Sequence, residues 1–374
     1  MEENERSFKC VVVNLAKRWF IDAFSGMAQG LFCTLIAGTI LSLIAKWVGV
    51  DNYFGGTLIA IANIAKTLMG AGIGVGMAHA LKSSKLTLFS ATVAGFAGAF
   101  SDKILAGGLT LALGAPGNPI GAYVVSLIVI EITSLYAGKT KLDILLIPLG
   151  ALALCFAGFY AAYPFIWLVN QLGNFIAWAT GITPFFMGII IAVVMGVLLT
   201  MPTSSAAIWI AVAKPVADGY LAGTVSLEAY NGIMLAGGAA VVGCSCHMIG
   251  FAVASFRENG ISGLISQGIG TSMLQIPNIM KKPAIMLPEI IASAILGPVA
   301  TMTGFMCDYS GGGMGTSGLV GVFGAIDANA ATNGFLLAAE ILLLLFILPA
   351  AISFGFSELF RKTGLISFGD QKLE

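Results

Sequence analysis

Residues 335–354 read FLLAAEILLLLFILPAAISF, twenty positions with a single charged side chain, Glu340. A stretch this long and this apolar constrains the fold severely. A helix crosses the hydrocarbon core of a bilayer with about 20 mostly apolar residues, whereas a soluble helix needs a polar face. Comparable runs recur at about 24–48, 54–78, 86–100, 119–137, 143–163, 183–200, 229–255 and 284–306. The last run spans about 333–356. Only 10% of the 374 residues are charged and 58% are hydrophobic, against roughly 25% charged in a soluble domain. No segment alternates with the two-residue period of a half-buried strand. The expected fold is therefore an all-α polytopic membrane protein. Basic residues mark the cytoplasmic side of short loops. They lie in the N-terminal lead, at Lys82 and Lys85, at Lys139 and Lys141, and at Arg361 and Lys362. With both ends inside, the number of crossings is even. Nine strong runs plus one shorter piece then predict about ten transmembrane helices with re-entrant hairpins.

Composition excludes several other classes. Eighteen basic residues balance 18 acidic ones, so no overall field points to nucleic acid as a partner. The first long apolar run, Ala28 to Ile44, is too long for the core of a cleaved secretory signal. The six cysteines lie scattered through apolar segments without a disulfide framework. Cys244, Cys246 and His247 form C-S-C-H, which has neither zinc-site nor haem-attachment spacing, so no metal and no cofactor are expected.

Inside this apolar frame the chain breaks in places where regular helix is unfavourable. Residues 310–321 read SGGGMGTSGLVG. Gly313, Gly315 and Gly318 match G-x-G-x-x-G, but no strand precedes them and no phosphate-binding Lys follows. Irregular backbone at membrane depth is tolerated where protein buries it or where it lines a wet cavity. Two further breaks precede apolar segments. Asn118 stands before Pro119, and Thr203, Ser204 and Ser205 follow Pro202, while Thr316 and Ser317 follow the glycines. Each places hydroxyl or amide groups with free N–H groups at a helix start, where acceptor-rich ligands bind. Asn118, Thr203, Ser204, Ser205, Gly313, Thr316 and Ser317 are thus candidate contacts for a small polar solute. A faint likeness between GAGIGVGMA (70–78) and GGGMGTSGL (311–319) is compatible with an inverted repeat.

Ionisable residues within membrane segments are costly and are functional candidates for that reason. Glu131, Glu289 and His247 head that group. A His and a Glu beside a hydroxyl can serve as base and orienting partner in phosphoryl acceptance. Glu131 is a candidate for ion coupling.

The run CSCHMIGFAVASFRENGISGLISQGIGTSMLQIPNIMKKPAIMLPEIIASAILGP, followed by GGGMGTSGLVG, resembles the EIIC membrane subunits of the bacterial phosphotransferase system. It is more narrowly similar to the stand-alone EIIC-like group that includes perfringolysin regulator-like proteins. MPTSSAAI and APGNPIGAY fit the same pattern, and the resemblance covers most of the chain. It implies a homodimeric permease of the bacterial inner membrane that moves a sugar by alternating access. Separate EIIA and EIIB proteins would phosphorylate that sugar at the inner face. It also implies sugar contacts from His247 and Glu289. The domains expected are a cytoplasmic segment 1–20, a transport domain 21–357 and a cytoplasmic tail 358–374. A ligand sensor without phosphorylation and a proton-coupled secondary transporter are the alternatives.

Overall fold

A computed structural model describes residues 13–15, 17–107, 117–201 and 205–373. Every regular element among these is helical, as the apolar periodicity requires, with α-helices joined by short π and 3-10 turns. Among the described residues, six helices are long and apolar enough to cross a membrane, and a seventh span is formed if a pair bent by 54° at Leu68 is one span. Shorter apolar helices cover Pro184–Thr200 and Ser317–Ala328. The chain is thus an all-α polytopic membrane protein.

The chain divides into two compact units, Met1–Val169 and Asn170–Glu374. In the first, α1 (Ala23–Leu31), α2 (Ala37–Val48), α3 (Tyr53–Thr67), α4 (Met69–Ala80), α5 (Lys85–Ala99), the short α6 (Ser101–Leu105) and α7 (Pro119–Tyr136) follow one another. The glycines of GAGIGVGMA are helical within α4 and act as a packing seam. A Cβ at Gly76 would collide with the Gly26 backbone of α1, and one at Gly74 with Ala91 of α5. Small residues let membrane helices approach this closely, and dispersion then replaces a hydrophobic drive that lipid cannot supply. The likeness of 70–78 to 311–319 therefore joins two different conformations, a helix and a turn.

Helix α8 (Asp143–Ile182) is continuous for 40 residues and passes through Pro148 and Pro164. The aromatic stretch after Pro164, separable from the preceding run on sequence grounds, is thus the second part of one helix. Proline removes one ladder bond and kinks a helix, but a membrane helix tolerates it where local adjustment satisfies the freed carbonyl.

The second unit is built around α11 (Leu227–Ala254). Before it come α9 (Pro184–Thr200) and α10 (Ser205–Leu221); after it come α12 (Phe256–Ile265), α13 (Ile276–Lys281), α14 (Leu287–Thr303), α15 (Val320–Ala328), α16 (Gly334–Leu342) and α17 (Leu348–Lys362). Ser226 caps the start of α11 by accepting from the Ala229 amide. Nearly all of α11 beyond Gly232 is buried, and its glycines admit neighbouring backbone on several sides. Gly243 faces Ala192 of α9, and Gly238 faces the Phe305 carbonyl. Residues 260–278 form no span; a π turn at Ser266–Gly270 and a 3-10 turn at Ser272–Gln275 fold them against α11. The segment is irregular, and Gln267, Ser272 and Gln275 within it are fully buried.

Candidate functional site

The break at 305–319 is held open by its own side chains. Asn329 brackets its start, donating to the Met306 carbonyl at 2.7 Å and accepting from the Met306 amide at 3.2 Å. The Asp308 carboxylate accepts from the Ser310 hydroxyl at 2.8 Å and from the Gly311 amide at 2.8 Å, folding the chain into a tight turn. Trp209 of α10 packs on Gly312, where any side chain would strike its ring, and a Cβ at Gly313 would strike the Ser205 carbonyl and Trp209 Cβ. At Gly315 the backbone has φ +55°, and a Cβ would stand 2.8 Å from Cys244 of α11. Only glycine meets both demands without strain. Leu319 follows in the same left-handed region at φ +60°, which is uncommon for a residue with a side chain.

The polar residues singled out in the sequence are distributed as follows. Ser205 donates to the Gly313 carbonyl at 2.7 Å, tying the start of α10 to the glycine turn. Thr316 donates to the Gly268 carbonyl at 2.6 Å, and Ser317 to that of Gly270 at 2.9 Å. These four residues thus belong to one assembly, in which the hydroxyls satisfy irregular backbone. Thr203 and Ser204 lie outside the described residues, as do 108–116 in the Asn118 break. Asn118 is in the first unit and caps α7, accepting from the amides of Ile120 at 2.9 Å and Gly121 at 3.2 Å. Glu131, also in the first unit, accepts from Arg18 Nε at 2.7 Å and from Trp19 Nε1 at 3.3 Å.

His247 and Glu289 are placed differently. Both are fully buried, His247 on α11 and Glu289 in the first turn of α14. His247 Nδ1 stands 2.9 Å from Thr200 Oγ1 at the end of α9, and the same hydroxyl stands 3.1 Å from Ser272 Oγ. The imidazole is thereby fixed at one nitrogen, while Nε2 has no hydrogen-bond partner. The Thr200 proton also reaches the Gly196 carbonyl at 3.2 Å. When it serves that carbonyl, Nδ1 must donate to Thr200 and Nε2 presents a lone pair. Glu289 packs on Gly250, three residues or about 4.5 Å of helix rise beyond His247. Neither of its carboxyl oxygens has a partner. Ser353 of α17 reaches the same Gly250, and its hydroxyl is also unpartnered.

Buried polar atoms are nearly always bonded, because an orphaned one costs about 1–3 kcal/mol. Three unpartnered atoms, His247 Nε2 on α11 and the two Glu289 oxygens on α14, make this the candidate site. Among the described residues, no group of three or more His, Cys, Asp or Glu is placed to hold a metal ion. Thr200, Ser272, Gln267, Gln275 and Ser353 were not evident as site residues in the sequence. Thr200 in particular reads as the unremarkable end of an apolar run.

The family model described as phosphotransferase system, EIIC, matches residues 21–373. No curated protein and no solved structure gives a match.

Proposed function

This chain belongs to the phosphotransferase system EIIC family, a multi-pass membrane permease component, and on that premise we propose that its solute is a sugar or sugar-like polyol moved by alternating access. The observation that carries the proposal is the buried group of unpartnered atoms, His247 Nε2 and both Glu289 oxygens. A ring hydroxyl donates to one and accepts from another, so one ligand relieves the desolvation of all of them. The transport domain is assigned to 21–357, between a cytoplasmic lead, 1–20, and a cytoplasmic tail, 358–374. It works in the bacterial inner membrane as a homodimer.

Ser205, Gly313, Thr316 and Ser317 shape the floor beside α11, and the hydroxyl lone pairs of Ser205, Thr316 and Ser317 remain able to accept from a ligand. Asn118, Thr203 and Ser204 remain candidate contacts on the sequence grounds given above, and Glu131 is the coupling candidate. The family context supplies EIIA and EIIB as partners. In the phosphorylation step a sugar hydroxyl oxygen forms a bond to phosphorus as the phosphoryl group leaves EIIB. The hydroxyl proton passes to His247, which Glu289 assists in orienting the acceptor.

The test is binding and uptake by purified protein in proteoliposomes against a panel of labelled sugars and polyols, with and without EIIA and EIIB. Saturable binding that Glu289→Gln weakens at least tenfold is expected. Absence of binding and uptake for every carbohydrate and polyol would refute the proposal. Binding without uptake in any condition would favour a sensor, and uptake without partners that collapses with the pH gradient would favour proton coupling.

A further inference from the structure

The C-terminal segment 364–373 is folded back onto the irregular segment 256–282 by bonds that reach into its interior. Arg361 donates to both carboxyl oxygens of Glu258 at 3.0 Å, and the Glu258 side chain is buried. The Gly369 amide donates to the same carboxylate at 3.0 Å. Asn259 accepts from the Leu373 amide at 2.8 Å and donates to the Gln371 carbonyl at 2.8 Å. Lys282 and Asp370 pair at 2.7 Å. Ile366 enters an apolar cluster with Phe251, Ile279 and Ile285. The family match ends at Leu373, so this segment lies within the matched domain.

Three buried amide side chains continue inward from the tail. Gln275 Nε2 donates to the Gln371 carbonyl at 3.0 Å and to Gln267 Oε1 at 2.8 Å. Asn278 Nδ2 donates to Gln275 Oε1 at 2.8 Å and to the Lys372 carbonyl at 2.9 Å. Gln267 in turn donates to Ser255 at the end of α11 and to the Gly263 carbonyl. The next residue is Gly268, whose carbonyl accepts from Thr316, and Gly270 beyond it accepts from Ser317. Hydrogen bonds, continued through the backbone from Gln267 to Gly268, thus join the tail to the glycine turn.

We propose that the docked tail is a positioning element for the candidate site, with Gln275 and Gln267 as positioning residues that hold the 266–270 turn and, through it, residues 315–317 against α11. The proposal deepens the permease reading by naming what regulates its site: release of the tail loosens the turn, and docking sets it. The contacts concerned are main-chain carbonyls and amide side chains, which have definite geometry and fail all at once when the tail leaves.

The molecule carries its own reporters. Cys244 is fully buried beneath the turn, with Gly315 packed on its backbone and its Sγ 4.0 Å from the Gly312 carbonyl. Cys155, buried in α8, belongs to the other unit and reports general loosening. The experiment measures N-ethylmaleimide labelling of each cysteine by mass spectrometry in full-length protein, in a chain truncated after Thr363, and in Gln275→Met. No solute is required. Both variants are expected to label Cys244 about tenfold faster, roughly the effect of one lost buried hydrogen bond on an opening equilibrium, with Cys155 unchanged. A merely structural role would raise Cys155 in step with Cys244. That result in Gln275→Met, or an unchanged Cys244 rate in both variants, overturns the proposal. If Cys244 responds as expected and no carbohydrate binds, the positioning role stands and the sugar reading fails.

Discussion

Removing the Thr200 hydroxyl tests whether His247 is held for a purpose. Thr200→Val keeps the branched shape and deletes one oxygen, which touches His247 Nδ1 at 2.9 Å and Ser272 Oγ at 3.1 Å. Both partners are fully buried, so neither recovers a bond from solvent. Two orphaned groups at about 1–3 kcal/mol each set an upper range near 6 kcal/mol. Hydrogen bonds between membrane helices average only about 0.6 kcal/mol, which sets a lower figure near 1 for two. The site is enclosed by protein on all sides, and Ser272 can turn its rotor toward another acceptor, so a loss of about 2–3 kcal/mol is expected. Thr200→Ser keeps the oxygen and loses one methyl, for about 1 kcal/mol. Unfolding of purified protein in bicelles by added detergent, followed through tryptophan fluorescence, measures both. The same variants should separate in the nitrogen chemical shifts of His247, because only valine removes the hydrogen-bond partner of Nδ1. The reasoning fails if valine costs under about 0.5 kcal/mol, or if serine costs as much as valine.

Two further outcomes follow from groups outside this site. The Arg18–Glu131 pair is part exposed, so a double-mutant cycle with alanine at each position should give a coupling of only about 0.2–1 kcal/mol. A pH dependence of transport that survives Glu131→Gln would remove Glu131 as the coupling group. Burial alone would raise the Asp370 carboxyl, but hydrogen bonds from Lys282 and the Ser367 amide, with the Lys282 charge, outweigh it and hold the group below its ordinary 3.8. A lowered carboxyl stabilises the docked tail above that value and ceases to do so as acid protonates it. Hydrogen exchange at Leu373 should therefore be flat from about pH 8 to 5 and accelerate, after correction for intrinsic rates, only below about pH 4; acceleration near pH 6 would contradict this.

The apolar runs disclosed the helices because lipid leaves the backbone no partner other than itself. Limits were less legible wherever proline or glycine has two meanings. Pro164 reads as a boundary, yet α8 continues through it, since a membrane helix needs only a local adjustment to absorb the lost bond. GAGIGVGMA and GGGMGTSGL have similar composition, but the first packs helix on helix and the second turns; what separates them is Asp308, Trp209 and Ser205, which lie outside either stretch. His247 and Glu289 stood out because charge is rare here. Thr200 and Ser272 did not, because hydroxyl residues are common in membrane helices and only the fold brings Ser272 to the Thr200 hydroxyl, 72 positions away, that meets the imidazole. The tail was the least legible element: Gln371 and Asn278 look like solvent-facing residues until their carbonyl and amide partners are seen.

The distribution of satisfied and unsatisfied groups changes what the glycine turn is for. Its own polar groups find protein partners: Asp308 serves Ser310 and Gly311, Ser205 serves Gly313, and Thr316 and Ser317 serve Gly268 and Gly270. A surface made only of such groups has little left to offer a ligand beyond spare lone pairs. Around Gly250 of α11 the unsatisfied atoms sit instead on regular helices, at His247 of α11, Glu289 of α14 and Ser353 of α17. Helices hold side chains more rigidly than turns do, so the demanding contacts belong on them. The turn then contributes what a helix cannot, a thin and adjustable wall: Gly315 lets the backbone lie directly on Cys244, where any side chain would push it away. On the proposed permease reading, a site that opens to either side of a membrane needs one such wall that can move without disturbing the residues proposed to hold the solute.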